Sequence, residues 1–218
     1  MSQITSEMIK KLREMTGAGM MDCKGALNEA EGSIDKAIEV LRKKGLKDIE
    51  KRSAKTAAEG TLGVYIHPGD QVVSAVELNC ETDFVGRGEE FRALARDLAM
   101  HVAAMKPRFL NVEDVPEHIL EKEKEILLEQ LNDDQKKKAD KILPGKVEKF
   151  LESVVLMKQI YIKDETDSKT IKTLIDDMSM RCGEKVTIRR YSRLEVGEGI
   201  ERTQGNLAAD VAAMVGEK

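Results

Sequence analysis

The side chains best able to carry chemistry are Cys23, Cys80 and Cys182, the histidines His67, His101 and His118, and the run Glu81-Thr82-Asp83-Phe84-Val85. A thiol nucleophile needs a base, and Cys80 has no histidine near it in sequence. The cysteines are far apart, odd in number and without CxxC spacing, so they read as reduced, partly buried thiols. The histidines lack metal-binding spacing such as HExxH. His67 falls at a turn and His101 lies off the apolar stripe of its helix, so both are expected to be solvated. There is no Walker-type phosphate loop and no GxSxG elbow. Gly17-Ala18-Gly19 does not follow a strand and fails the context of a dinucleotide site. The chain is therefore expected not to be an enzyme and to need no metal or cofactor.

What remains is the chemistry of binding. Phe84 is one of four Phe in a chain with three Tyr and no Trp. It lies between acidic residues and Gly86 and Gly88, on a segment expected to be an irregular loop. On residue chemistry alone the favoured reading is an aromatic that anchors this loop on the following helix. The alternative is a rigid hydrophobe that reaches into a partner. Met20 and Met21 pose the same question. Neighbours on a helix cannot both face inward, and Cys23, Ala26 and Leu27 already fill the inner face, so at least one methionine is expected at the surface. Lys24 lies beside that stripe and Arg13 next to Leu12, both solvated unless a partner covers them.

The elements that position these groups follow from hydrophobic periodicity. Met8, Leu12 and Met15 share a helical face, and Thr16-Gly17-Ala18-Gly19 then breaks the chain. Cys23, Ala26, Leu27 and Ala30 fall at i, i+3, i+4 and i+7, a second helix that Gly32 stops. Ser33 is a good N-cap for a third, with Ile34, Ala37, Ile38 and Leu41 inward and Gly45 expected to close it. Residues 46–60 read as a linker that can continue as helix. Leu62, Val64 and Ile66, then Val72, Ser74, Val76, Leu78 and Cys80, alternate around the turn Pro68-Gly69-Asp70, a β-hairpin.

Phe91, Leu94, Ala95, Leu98, Val102 and Met105 mark a strong helix after the Asp83–Phe84 segment. Residues 117–143 form a charged helical arm with Leu120, Leu127 and Leu131 on a thin stripe. Pro144-Gly145 is expected to interrupt before a helix carrying Val147, Phe150, Leu151, Val154 and Val155. Ile171, Leu174, Ile175 and Met178 mark a shorter helix, and Lys185 to Leu194 a third strand. A polar linker leads to a terminal helix bearing Leu207, Val211, Met214 and Val215 after an Asn206 cap. That helix is too short to be stable alone. It either docks on its own core or folds on a partner, and the linker favours the second. No internal repeat is present. The fold class is α+β: a three-helix module at 1–52, a core of a small antiparallel three-stranded sheet packed with helices at 53–196, and a linker with a short helix at 197–218.

Composition narrows the partners. The 218 residues are 41% apolar, enough to bury a core. With 36 basic against 40 acidic residues the net charge is −4, without the basic excess of a nucleic-acid binder. No apolar run suits a signal peptide or a membrane span, so a cytoplasmic protein is expected.

Two stretches carry a resemblance. Leu12 to Leu27, LREMTGAGMMDCKGAL, and Glu77 to Arg87, ELNCETDFVGR, resemble the two signatures of the elongation factor Ts family, in its order and spacing. GEKVTIRR at 183–190 and NLAADVAAMV at 206–215 are similar to its final core strand and C-terminal module. Gly25 and Gly86 depart from the family's more usual residues, and Gly86 is expected to loosen the loop. Pro144 stands where the family usually reads EGK. Longer members carry a second core subdomain and a coiled-coil insertion, neither of which is found, so the chain resembles the compact type.

The resemblance implies a factor that binds elongation factor Tu and accelerates GDP release by disturbing its Mg²⁺ site, with a ubiquitin-associated (UBA)-like N-terminal module. It implies that Arg13, Met20, Met21 and Lys24 face the GTPase domain of Tu. Thr82, Asp83, Phe84 and Val85 would form the exchange loop, and Leu207, Val211 and Met214 would dock on a Tu helix. Compact members can pair through the exposed sheet face, which leaves a homodimer open. Two other readings compete. A module that recognises ubiquitin-like or unfolded-chain ligands through the first three helices leaves the Asp83–Phe84 segment and the terminal helix unexplained. A thiol enzyme using Cys80 lacks a base.

Overall fold

The computed structural model of the chain describes residues 4–166 and 168–200. The terminal helix expected to carry Leu207, Val211 and Met214 lies outside the described residues.

Helices α1 (Ser6–Thr16), α2 (Met20–Glu29) and α3 (Ile34–Arg52) form the first unit. Thr5 and Ser33 cap α1 and α3 by accepting from the amides of Met8 and Lys36, and Gly17 ends α1 at φ 69°, a left-handed conformation that glycine adopts without strain. Leu12, Cys23, Ala26, Leu27, Ala30, Ala37 and Leu41 make one buried cluster, as a UBA-like module requires. Met15 is 56% exposed although its spacing groups it with Met8 and Leu12.

Gly45 does not close α3, which runs on to Arg52. A Cβ at Gly45 would stand 2.1 Å from the Met180 sulfur, so this glycine is a notch in which α3 receives α9 (Ile171–Cys182). A glycine that ends a helix and one that admits a neighbour look alike in sequence.

Strands β1 (Glu59–Ile66), β2 (Val72–Cys80) and β3 (Thr187–Glu195) pair antiparallel in the order β1-β2-β3. Helix α5 (Glu89–Met105) covers one face. Its Phe91, Ala95, Leu98, Ala99 and Val102 meet Val76, Leu78, Cys80 and Ile188 of the sheet, and Ile171, Ile175 and Met178 of α9 complete this core. At Gly63 the helix backbone comes so close that a Cβ would lie 1.9 Å from the Ala95 carbonyl oxygen. The other face leaves Leu62, Val64, Ile66 and Leu194 exposed.

The charged arm is α6 (Glu117–Glu129) and α7 (Asp133–Lys136), with Leu127 and Leu131 buried. Helix α8 (Ala139–Val154) continues past Pro144-Gly145, where an interruption was expected. An internal proline costs roughly 3 kcal/mol. Leu151 and Val154 are buried with Val147 and Phe150 beside them, and full burial of one such side chain contributes about 1.5–3 kcal/mol, so packing offsets the proline.

His101 overturns the expectation of a solvated side chain: it is fully buried on α5. Its Nδ1 accepts from the amide of Ile162 at 3.3 Å, and Nε2 lies 3.0 Å from Gln159 Oε1, which assigns the proton to Nε2. Burial lowers its pKa, against the opposing Gln159 bond, so the ring is neutral. The segment that buries it lies some 60 residues further on, beyond any helical stripe. His67 is exposed, as expected.

Candidate functional site

Strand β2 ends at Cys80, and the chain then turns outward. Thr82 is extended (φ −124°, ψ 152°), and its hydroxyl accepts from the amide of Val85 at 3.5 Å. One turn of helix follows, α4 (Asp83–Gly86), where an irregular loop was expected. A Thr N-cap followed by Asp in the first turn explains it. A single turn is too short to show periodicity.

Within this turn the side chains divide. Val85 packs against the core under the sheet. Phe84, its neighbour, is 85% exposed. The anchoring role that residue chemistry favoured for Phe84 thus belongs to Val85, and the aromatic ring points outward. Asp83 is exposed and pairs with Arg87 at 3.1 Å, a surface ion pair of little stabilising value. Gly86 does not loosen the turn. It is buried, and a Cβ there would meet the Gly60 backbone at 3.1–3.3 Å, so its lack of a side chain seats α4 on β1.

The base of the turn is held from far away. The Glu184 carboxylate accepts from the amides of Glu81 and Thr82, each at 3.0 Å, and from the Thr82 hydroxyl at 2.6 Å. Glu81 in turn accepts from Lys185 N at 2.7 Å and from Lys55 Nζ at 2.7 Å. Nothing in the sequence assigned Glu81, Glu184 or Lys185 to holding the base of this turn. The partners of Glu184 lie 102 and 103 residues away, so no local pattern announces them.

Cys80 is fully buried, and its thiol donates to Thr82 O at 3.1 Å. Burial pushes its pKa up to about 11, so it is a protonated core thiol. The nucleophile reading falls with it.

On the first module Met20 and Met21 are 53% and 79% exposed, so both methionines reach the surface. Arg13 and Lys24 are exposed as well. The described residues show no hydrogen bond or ion pair between these four and Thr82, Asp83, Phe84 or Val85. The two groups are tied indirectly. Gly17 lies against the Arg181 side chain, Gly45 against Met180, and Lys185 Nζ donates to Ser53 O at 2.6 Å and Lys55 O at 2.8 Å.

The uncovered sheet face is a third feature. Ile66 lies opposite Val73, and Val73 opposite Leu194, so apolar side chains run across all three strands. Glu77 receives Arg189 and Arg190 at 2.9 and 2.6 Å, and these bonds hold its carboxyl below the usual range. Among the described residues no group of His, Cys, Asp and Glu could hold a metal ion, and no helix is long and apolar enough to cross a membrane.

Against known proteins, the model of the elongation factor Ts family matches residues 2–198. The chain is 48% identical to elongation factor Ts of Desulforamulus reducens over 217 residues, which cover 99% of each chain. It is 47% identical to that of Carboxydothermus hydrogenoformans over 96% of this chain and 97% of the relative. With that of Thermotoga neapolitana the identity is 49%, over 90% of this chain and 98% of the relative.

Proposed function

This chain belongs to the elongation factor Ts family, and from that premise we propose that it is a guanine nucleotide exchange factor. It binds elongation factor Tu carrying GDP, disturbs the Mg²⁺ and phosphate site, and speeds GDP release so that GTP can enter. It works by binding alone, in the cytoplasm, with no catalytic chemistry of its own.

The observation that carries this reading is Phe84. A large aromatic held 85% exposed on a turn that is capped, seated on Gly60 and bracketed by Glu184 is a preorganised anchor of the kind that fills a pocket on a partner. Phe84 acts as a wedge between elements of the GTPase, and Asp83 hydrogen-bonds beside it, with Thr82 and Val85 holding the turn. Arg13, Met20, Met21 and Lys24 supply a second contact on the GTPase domain. Leu207, Val211 and Met214 supply a third. On this reading the working divisions are 1–52, 53–196 and 197–218.

Magnitudes show that the wedge does not act alone. Burying a phenyl ring contributes about 1.5–3 kcal/mol, whereas a nanomolar nucleotide is held by about 12 kcal/mol. The rest comes from the wider interface and from loosened Mg²⁺ coordination. Binding linkage is reciprocal, so GDP weakens the factor as much as the factor weakens GDP.

The uncovered sheet face supports a further proposal within this reading. Leu62, Val64, Ile66 and Leu194 are 51–67% exposed on one apolar surface, which suits pairing of two copies through the sheet.

The test is release of fluorescent GDP from elongation factor Tu in stopped flow, with and without the chain. Faster release is expected. No acceleration at micromolar concentration removes the exchange reading and leaves a binding module of the first three helices.

A further inference from the structure

Beyond Cys80 the backbone leaves the sheet, so the amides of Glu81 and Thr82 have no partner strand. One carboxylate takes both. Glu184 Oε2 accepts the two amides at 3.0 Å each, and Oε1 accepts the Thr82 hydroxyl at 2.6 Å. These are charge-assisted bonds to a half-buried group, stronger than neutral ones. The Thr82 hydroxyl is thereby oriented. It donates to Glu184, and its lone pair faces the amide of Val85, which starts the turn that carries Phe84.

The bracket is reciprocal. Lys185 N donates to Glu81 Oε1 while Lys55 Nζ holds Glu81 Oε2. The Lys55 bond first, then Lys185, keeps the Glu81 carboxyl below its usual range and therefore charged. Lys185 Nζ reaches the carbonyls of Ser53 and Lys55 in the tether that follows α3. Gly183, left-handed at φ 72°, ends α9 and begins the turn that places Glu184 here.

We propose that Glu184 is a positioning residue for exchange: it acts through Thr82 to hold the Asp83–Phe84 tip in its outward pose. The proposal rests on the exchange-factor reading above. It differs from a purely structural role, in which Glu184 would only fasten the α9–β3 connection to the end of β2.

The experiment is a cycle of variants of the full chain: Glu184→Gln, Thr82→Val, Phe84→Ala, and each of the first two combined with Phe84→Ala. Glutamine keeps the size but offers one oxygen and an amino group to three donors. The readout is stopped-flow release of fluorescent GDP from elongation factor Tu over a range of factor concentrations. Glu184→Gln and Thr82→Val are each expected to lower the maximal release rate about ten-fold, with a smaller change in the half-saturating concentration. Neither is expected to slow release further once Phe84 is alanine, because residues acting through one element are not additive. Wild-type rates in Glu184→Gln, or an equal loss with and without Phe84, overturn the positioning role. If circular dichroism finds Glu184→Gln unfolded, the Thr82→Val pair decides by the same criterion. A wild-type chain that leaves GDP release unchanged overturns the exchange reading itself, a result distinct from either.

Discussion

Gly86 rests on Gly60: a Cβ on the first would meet the carbonyl oxygen of the second at 3.1 Å and its Cα at 3.2 Å. The turn that presents Phe84 is therefore seated backbone to backbone on the edge strand of the sheet. Gly86→Ala is expected to push α4 off β1 by a few tenths of an ångström and to cost about 1 kcal/mol, the lower end for overpacking. Catalysed GDP release is expected to suffer more than stability. Urea unfolding and stopped-flow exchange on the same preparation check this, and wild-type exchange in the variant would contradict the seating.

Phe84→Ala is expected to leave the fold intact, because a side chain 85% exposed contributes little to folding. Surface changes of this kind stay within about 0.5 kcal/mol. Release of GDP from elongation factor Tu is expected to slow at least ten-fold, consistent with the loss of about 1.5–3 kcal/mol of ring burial. Unchanged exchange kinetics would remove the wedge.

Two glycines predict opposite tolerances. At Gly63 a Cβ would lie 1.9 Å from the Ala95 carbonyl oxygen, a clash of backbone with backbone that no rotamer relieves. Gly63→Ala is expected to cost 3 kcal/mol or more, roughly the top of the overpacking range. At Gly45 the nearest atom is the flexible Met180 sulfur at 2.1 Å. Gly45→Ala gains roughly 1 kcal/mol of helix propensity and displaces only that side chain, so its net change is expected to be small. Urea midpoints rank the two, and equal losses would refute the distinction.

His101 sets a pH dependence. Burial lowers its folded-state pKa below the ordinary 6.5. As pH falls below that value the unfolded chain takes up a proton that the folded chain refuses. Its full stability is thus present above pH 6.5 and is lost as pH falls toward the folded pKa. Glu77 and Glu81 also have lowered pKa values, but from 4.5, so their losses begin at more acid pH. Unfolding free energies at about pH 7.5 and pH 5 isolate the histidine. His101→Gln is expected to flatten the difference, and an unaltered slope would reject the assignment.

Val64 is 51% exposed on the open sheet face, opposite Ala75. If two copies pair there, Val64→Lys places a charge in the contact and is expected to yield a monomer in analytical ultracentrifugation, with the fold unchanged. A dimer that survives the substitution would exclude this face.

Much of the architecture was legible because its signals are local. The period of Cys23, Ala26, Leu27 and Ala30, the N-cap at Ser33, the break at Gly17, and the alternation from Val72 to Cys80 each depend on residues a few positions apart. So do the two motifs that carry the family resemblance, and with them the candidate contacts at Arg13, Met20, Met21, Lys24 and Asp83–Phe84. The same local view misplaced the end of α3, the break at Pro144 and the setting of His101. Gly45 answers to Met180, Pro144 is carried by the packing of Val147 and Phe150, and His101 is covered by Gln159 and Ile162.

The sequence by itself determined most of the element types, their order, the charge balance and the family, because periodicity, capping and motif spacing act over a turn or two of chain. Only the tertiary structure decided which way each chemically able side chain faces. Phe84 and Val85 are neighbours with the same local signal, yet one is exposed and the other packed, and Glu184 reaches Thr82 across 102 residues. Burial and hydrogen bonding between distant segments exist only once the chain has folded, so the pose of the Phe84 tip belongs to the packed molecule.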